Sequence, residues 1–214
     1  MMQQAINTQP VVFVVDDDID VREGLRSLMG SVGLRCEVFA SPREFLQREA
    51  ADTLSCLVLD VRLPGMNGLD FQTELARTHA DIPTIFITGH GDVPMSVKAM
   101  KAGAVEFLTK PVREQTLLDA VHDALERDRV RREQAEKLRD LQARYELLGP
   151  RECEVLSLVI TGLLNKQMAA EIKMSEVTVK VHRARLMKKL GAKSVADLTK
   201  MANVLGVAPR DIER

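Results

Sequence analysis

The chain has 214 residues, 45% of them apolar and 29% charged, a balance that excludes wholesale disorder and collagen-like or low-complexity classes and suits two modest domains. Its formal net charge of −1 hides a split: residues 1–125 carry 11 basic against 18 acidic residues, whereas residues 148–214 carry 12 against 7, as expected of an acidic module for cations and a basic one for a polyanion. No apolar run approaches the roughly 18 residues that cross a bilayer, so no membrane partner is expected.

Residues 1–10 are expected to be disordered, and they lack the basic and apolar regions of an export signal, which points to the cytoplasm. Between residues 11 and 125, short β-branched or aromatic runs alternate with segments of helical period: VVFVV at 11–15, CEVF at 36–39, CLVL at 56–59, TIFIT at 84–88 and VEFLT at 105–109. Runs that are apolar on successive residues belong to a parallel sheet covered on both faces, so the spacing predicts a five-stranded, doubly wound α/β domain. Ligands of such sheets bind beyond the carboxyl ends of the strands. Val21, Leu25, Leu28, Met29 and Val32 form one stripe of the first helix, ended by Gly33. Cys36, Cys56 and Cys153 are odd in number and far apart, which reads as reduced thiols rather than a disulfide framework or a zinc site.

Residues 126–147 read as a linker helix, because helical patterning runs without Gly or Pro from Val112 to Gly149-Pro150 and 11 of the 15 residues in 126–140 are charged. Leu138, Leu141, Tyr145 and Leu148 then restore a 3,4,3 spacing, which suits either a solvated linker or a seam that pairs with a second copy. Residues 148–214 read as an all-α domain of four short helices. Pro150 opens one, Gly162 and Gly191 close others, Asn165 and Ser175 are N-cap candidates, and SVAD from Ser194 has the form of a capping box.

Asp16, Asp17 and Asp18 follow the first strand and Asp60 ends the third, so adjacent strands would bring four carboxylates together. Like charges at close range raise one another's pKa unless a hard cation such as Mg2+ neutralises them. For the 16–18 run alone the alternative is a cap and dipole partner for the helix starting near Ile19. Thr88, followed by Gly89, His90 and Gly91, ends the fourth strand, and Lys110 ends the fifth. A carboxylate, a cation site, an ammonium and a hydroxyl are what transfer of a phosphoryl group onto an aspartate requires.

The motifs VVDDD, LVLDVRLPGMNG, ITGHGD and FLTKP resemble the receiver domain of two-component response regulators over about residues 10–125, and ITGHGDVPMSVKAMKAGAVEFLTKP resembles the FixJ branch. The resemblance implies strand order 2-1-3-4-5 and Asp60 as phosphoacceptor. It implies Mg2+ held by Asp16, Asp17, Asp60 and the backbone carbonyl of Arg62, with Thr88 and Lys110 reading the phosphoryl group and Thr88 and Phe107 acting as the switch. A rival reading is a phosphatase with a strand-end aspartate nucleophile, which needs a second acid two residues on; Arg62 stands there, so no turnover enzyme is expected beyond self-phosphorylation and autodephosphorylation.

In the basic module, projecting Ser175 to Leu190 at roughly 100° per residue puts Val179, Leu186 and Leu190 on one stripe flanked by Arg183. The opposite arc carries Val177, Lys180, Val181, Ala184, Arg185 and Lys188, cations for phosphates or guanine and small apolar groups for close approach to base edges. His182 falls near the core edge. The stretch LGPRECEVLSLVITGLLNKQMAAEIKMSEVTVKVHRARLMKKLGAKSVADL resembles the LuxR-type helix-turn-helix of the FixJ/NarL group. By that likeness Lys180, Val181, Ala184 and Lys188 face the major groove and Asn165 and Lys166 approach the DNA backbone. Gly149, Leu164 and Gln167 depart from the family's usual residues and put the caps of two helices in doubt.

The expected molecule is a response regulator of 11–125 receiver, 126–147 linker and 148–214 DNA-binding domain. It is phosphorylated by a sensor histidine kinase, forms a homodimer, and binds double-stranded DNA to regulate transcription with RNA polymerase. A DNA-binding protein indifferent to phosphorylation and a phosphatase are the competing classes.

Overall fold

The computed structural model describes residues 9–48, 53–77, 82–89 and 93–210; the expected disorder of the N-terminus falls mostly outside them, as do His90 and Gly91. Two compact units are present, one through Arg132 and one from Glu133.

In the first unit, β1 (Val11–Val15), β2 (Arg35–Phe39), β3 (Ser55–Asp60), β6 (Thr84–Thr88) and β7 (Glu106–Thr109) form a parallel sheet in the order β2-β1-β3-β6-β7. The expected topology is present, with the later strands renumbered because a small antiparallel hairpin intervenes, β4 (Arg62–Leu63) and β5 (Met66–Asn67). Two-residue strands are too short for a periodic signal. The helices are α1 (Ile19–Ser31), α2 (Pro42–Leu46), α3 (Gly68–Arg77), α4 (Val93–Lys101) and α5 (Glu114–Glu146). Every residue of β1, β3 and β6 is buried, which explains why these strands read as unbroken apolar runs.

Alternate residues feed two cores. Phe13, Val15, Leu57, Leu59 and Phe86 meet Phe45 and Phe71 on one face; Val12, Val14, Val58, Ile85 and Ile87 meet Met29, Leu117 and Val121 on the other. Phe45 is the hub of the first, edge-on to Phe13, Phe39 and Phe71 at 5.4–5.9 Å between centroids, with the Arg48 guanidinium 3.7 Å over its ring. Burial pushes the Cys36 thiol up to about 11 and the Cys56 thiol higher still, so both stay protonated and unreactive. Val32 departs from its expected place: α1 stops at Ser31, and Val32 lies beyond the stripe, 49% exposed.

The charged stretch after residue 125 is not uniformly solvated. Asp128 is fully buried and continues the inward stripe of Leu117, Val121 and Ala124. Its carboxylate accepts the Ser55 amide at the start of β3 (3.0 Å) and pairs with Arg131 and Arg132 at 2.6 and 2.8 Å.

The second unit comprises the end of α5 with α6 (Pro150–Val159), α7 (Asn165–Glu171), α8 (Glu176–Leu190) and α9 (Val195–Val204) around Val155, Leu156, Met168, Val179, Leu186 and Leu198. Leu141, Tyr145 and Leu148 pack against this core. Their spacing therefore serves the chain's own domain; Leu138, at 36% exposure, is the member left at the surface. Leu164, not Asn165, caps α7, and Asn165 is the first helical residue. Both unusual caps keep half of the reciprocal arrangement: Glu152 accepts the Gly149 amide and Gln167 the Leu164 amide, each at 2.8 Å. Ser175 and Ser194 cap α8 and α9 as expected.

Candidate functional sites: an acidic pocket and an exposed basic helix

β1 and β3 are neighbours in register, Val15 opposite Leu59, so the residues that follow them emerge side by side at the carboxyl edge of the sheet. Oxygens of Asp16, Asp17 and Asp60 lie within 4.8 Å of one another. Asp16 is fully buried, Asp60 is 6% exposed and Asp17 is exposed. The fourth expected member does something else: Asp18 is the N-cap of α1 and accepts the Asp20 amide at 2.9 Å. The two readings of the acidic run thus divide between adjacent residues.

Lys110, just after β7, reaches across the sheet edge with Nζ 2.7 Å from Asp16 Oδ2 and 2.6 Å from Asp60 Oδ2. The other oxygen of each carboxylate is held by the loops, Asp16 Oδ1 by the Asp18 amide (3.0 Å) and Asp60 Oδ1 by the Arg62 amide (2.9 Å). Burial pushes the Asp16 carboxyl up against the help it receives from Lys110. Burial alone would lower Lys110, but its hydrogen bonds to Asp16 and Asp60 outweigh that and push it up.

Thr88 ends β6 fully buried, and its carbonyl accepts the Lys110 amide at 2.8 Å. Phe107 on β7 packs partly buried against the first core, 6.5 Å from Phe86. Arg62 is exposed in β4, opposite Asn67, where an open cavity of about 490 Å³ adjoins Asp17. Gly68 closes the return: its amide donates to the Val61 carbonyl at 2.9 Å, and a β-carbon there would collide with the Asp60 carbonyl oxygen. Hydrophobic periodicity does not mark this glycine; its place shortly after the aspartate at the strand end is the signal.

The donor set fits a hard cation: three carboxylates with one exposed, and no sulfur or imidazole among them. It also fits an anion close to Lys110.

On the second unit, Val179, Leu186 and Leu190 are fully buried, and Val177, Lys180, Val181, Ala184, Arg185 and Lys188 are all exposed, Val177 to 70%. The helix therefore offers a free face of cations and small apolar groups. Lys180 pairs loosely with Glu176 one turn earlier, at 2.9 Å and largely exposed. Lys166 is exposed at the start of α7, whereas Asn165 is turned inward, its Oδ1 accepting from Arg183 at 2.9 Å. His182 is half-buried with Nδ1 shielded and unpaired, a packing position. Lys189, which helical projection does not mark, binds Glu152 at 2.6 Å and the Leu147 carbonyl at 2.9 Å, tying the end of α8 to the start of α6 and holding the Glu152 carboxyl below its usual range.

Known protein families match two stretches of this chain. Residues 12–122 match the response regulator receiver domain and residues 146–202 match the bacterial regulatory proteins of the luxR family. The chain is 55% identical to nodulation protein W of Bradyrhizobium diazoefficiens, over 97% of this chain and 92% of that protein. It is 39% identical to the transcriptional regulatory protein FixJ of Rhizobium meliloti, over 94% and 99% respectively. Among solved structures it resembles the response regulator StyR, with a TM-score of 0.77 and 48% identity over 91% of this chain and 98% of that one. The chain belongs to the two-component response regulators that join a receiver domain to a LuxR-type DNA-binding domain, and it is a regulator of transcription.

Proposed function

We propose that Asp60 accepts a phosphoryl group from a sensor histidine kinase and that the phosphorylated chain dimerises to bind a two-fold DNA site. The carrying observation is the convergence of Asp16, Asp17 and Asp60 with Lys110 at one edge of the sheet. An oxygen of Asp60 attacks phosphorus; the new O–P bond forms as the P–N bond to the kinase histidine breaks. Asp16, Asp17, Asp60 and the Arg62 carbonyl are the residues that would hold Mg2+, which when bound supplies positive charge beside the transferred oxygens. Lys110, already between the two buried carboxylates, supplies the second compensating charge.

Thr88 and Phe107 occupy neighbouring strands, Phe107 with its ring only partly buried, which supports their reading as the switch pair. Val93, Val97 and Met100 form an exposed apolar stripe on α4, at 75%, 45% and 46%, and support this face as the dimer surface. The exposed arc of α8 reads the major groove, with Lys166 near the backbone and RNA polymerase as the further partner. Arg62, where a phosphatase would carry its acid, supports a regulator without a separate turnover substrate. Among the described residues no helix is long and apolar enough to cross a membrane, in keeping with work on DNA in the cytoplasm.

Incubation with acetyl phosphate and Mg2+ is expected to add one phosphoryl group per chain by intact mass, and Asp60→Asn to abolish it. Undiminished labelling of that variant would overturn the assignment. Operator affinity and oligomeric state unmoved by phosphorylation would leave the DNA-binding protein with a vestigial acidic site.

A further inference from the structure

Helices α1, α4, α6, α8 and α9 end on or shortly before a glycine with left-handed backbone, at Gly33, Gly103, Gly162, Gly191 and Gly206. Helix α7 ends the same way on a lysine. Lys173, with φ of +51°, is the one non-glycine residue of positive φ among the described residues, and it lies in the turn of the helix-turn-helix. The Lys173 amide donates to the Ala170 carbonyl (3.3 Å) and the Met174 amide to the Ala169 carbonyl (2.9 Å). This pair of bonds fixes a left-handed residue after a helix, a place usually filled by glycine or asparagine. Met174 packs into the core, so the turn cannot relax by swinging outward.

A β-carbon makes this backbone unfavourable, and an unfavourable backbone kept at an exposed position points to a use for its side chain. Lys189 is tied to Glu152 and Lys180 to Glu176, but no acidic side chain among the described residues pairs with Lys173. Ser175, two residues on, caps α8, and Val177 is the first residue of its exposed arc. The start of a groove-reading helix meets base edges, which places the turn before it at the rim, where the phosphates run.

We infer that Lys173 contacts a DNA phosphate and fixes the angle at which α8 enters the groove, adding affinity without sequence preference. The inference rests on α8 being the reading helix. The competing role is local, a cation at the carboxyl end of α7 offsetting the helix dipole.

The full chain is titrated against a fluorescent mixed-sequence duplex of about 30 base pairs at several salt concentrations. Lys173→Asn keeps a side chain that tolerates left-handed backbone and removes the charge. It is expected to lower the slope of log affinity against log salt by about 0.9, equivalent to about eightfold across a tenfold range of salt. Its Tm is expected to equal or exceed that of the unsubstituted chain, and Lys173→Arg to keep the binding. Unchanged affinity and slope in Lys173→Asn would overturn the inference, and a lowered Tm with unchanged binding would assign the dipole role instead. Lys180→Ala in the same titration separates the two readings: if it weakens binding and Lys173→Asn does not, only the inference on Lys173 fails. If neither does, α8 is not the reading helix.

Discussion

The receiver and the DNA-binding domain use charge in opposite ways. In the receiver, the exposed Asp17 aside, the carboxylates that matter are buried, and each is pinned by several partners: Asp16 and Asp60 share Lys110 and are held by loop amides, and Asp128 is shared by Ser55, Arg131 and Arg132. In the DNA-binding domain the cations on the exposed arc of α8, Lys180, Arg185 and Lys188, stand in water with at most a loose neighbour. Pinned charges define a geometry for a small group of atoms; free cations define a surface that can adapt to a polyanion. The first arrangement depends on the fold around it, whereas the second mostly rides on a fold held by apolar contacts.

If this contrast is right, the largest effect on stability comes from a pinned charge outside the acidic pocket. Asp128→Ala leaves the buried Ser55 amide without its acceptor and removes the carboxylate that Arg131 and Arg132 share, and is expected to cost the receiver about 3 kcal/mol. That is the low end for a broken buried pair, because both arginines keep some contact with water. Urea unfolding measures it, and a loss below about 0.5 kcal/mol would place Asp128 among ordinary surface charges. Lys180→Ala is expected to leave stability within about 0.5 kcal/mol, weaken operator binding, and lower the salt slope by about one if its contact is to phosphate. A large fall in Tm would break the contrast from the other side.

The smallest effect concerns Glu152, the buried acid of the DNA-binding domain. Lys189 and the Gly149 amide lower its pKa in the folded state from an ordinary value of 4.5. Its contribution is therefore present above about pH 4.5 and is lost as pH falls through the lower folded value. Glu152→Gln should lower Tm near neutrality and flatten its decline below that pH, as followed by circular dichroism.

The sheet was legible because strands buried on both faces leave unbroken apolar runs, and the acidic pocket because its aspartates directly follow such runs. Asp128 was obscured by the charges around it, although its spacing from Val121 and Ala124 continues the inward stripe. The 3,4,3 spacing at the end of α5 suited a solvated linker or a seam with a second copy, and the face is instead covered by the chain's own helical core, because the spacing looks alike whatever covers it. The left-handed turn at Lys173 was invisible because the local signal for it is a glycine, and none is there. Asp18 and Asp17 show the finest limit: identical side chains in adjacent positions, one capping a helix and the other facing the pocket, separated only by the direction in which the backbone turns.

Tyr145 has a practical consequence. It is the one tyrosine in a chain without tryptophan, and it packs on the DNA-binding core, whereas all six phenylalanines belong to the receiver. Tyrosine emission therefore watches one domain alone, and an unlabelled sample can show whether the two melt together or in sequence.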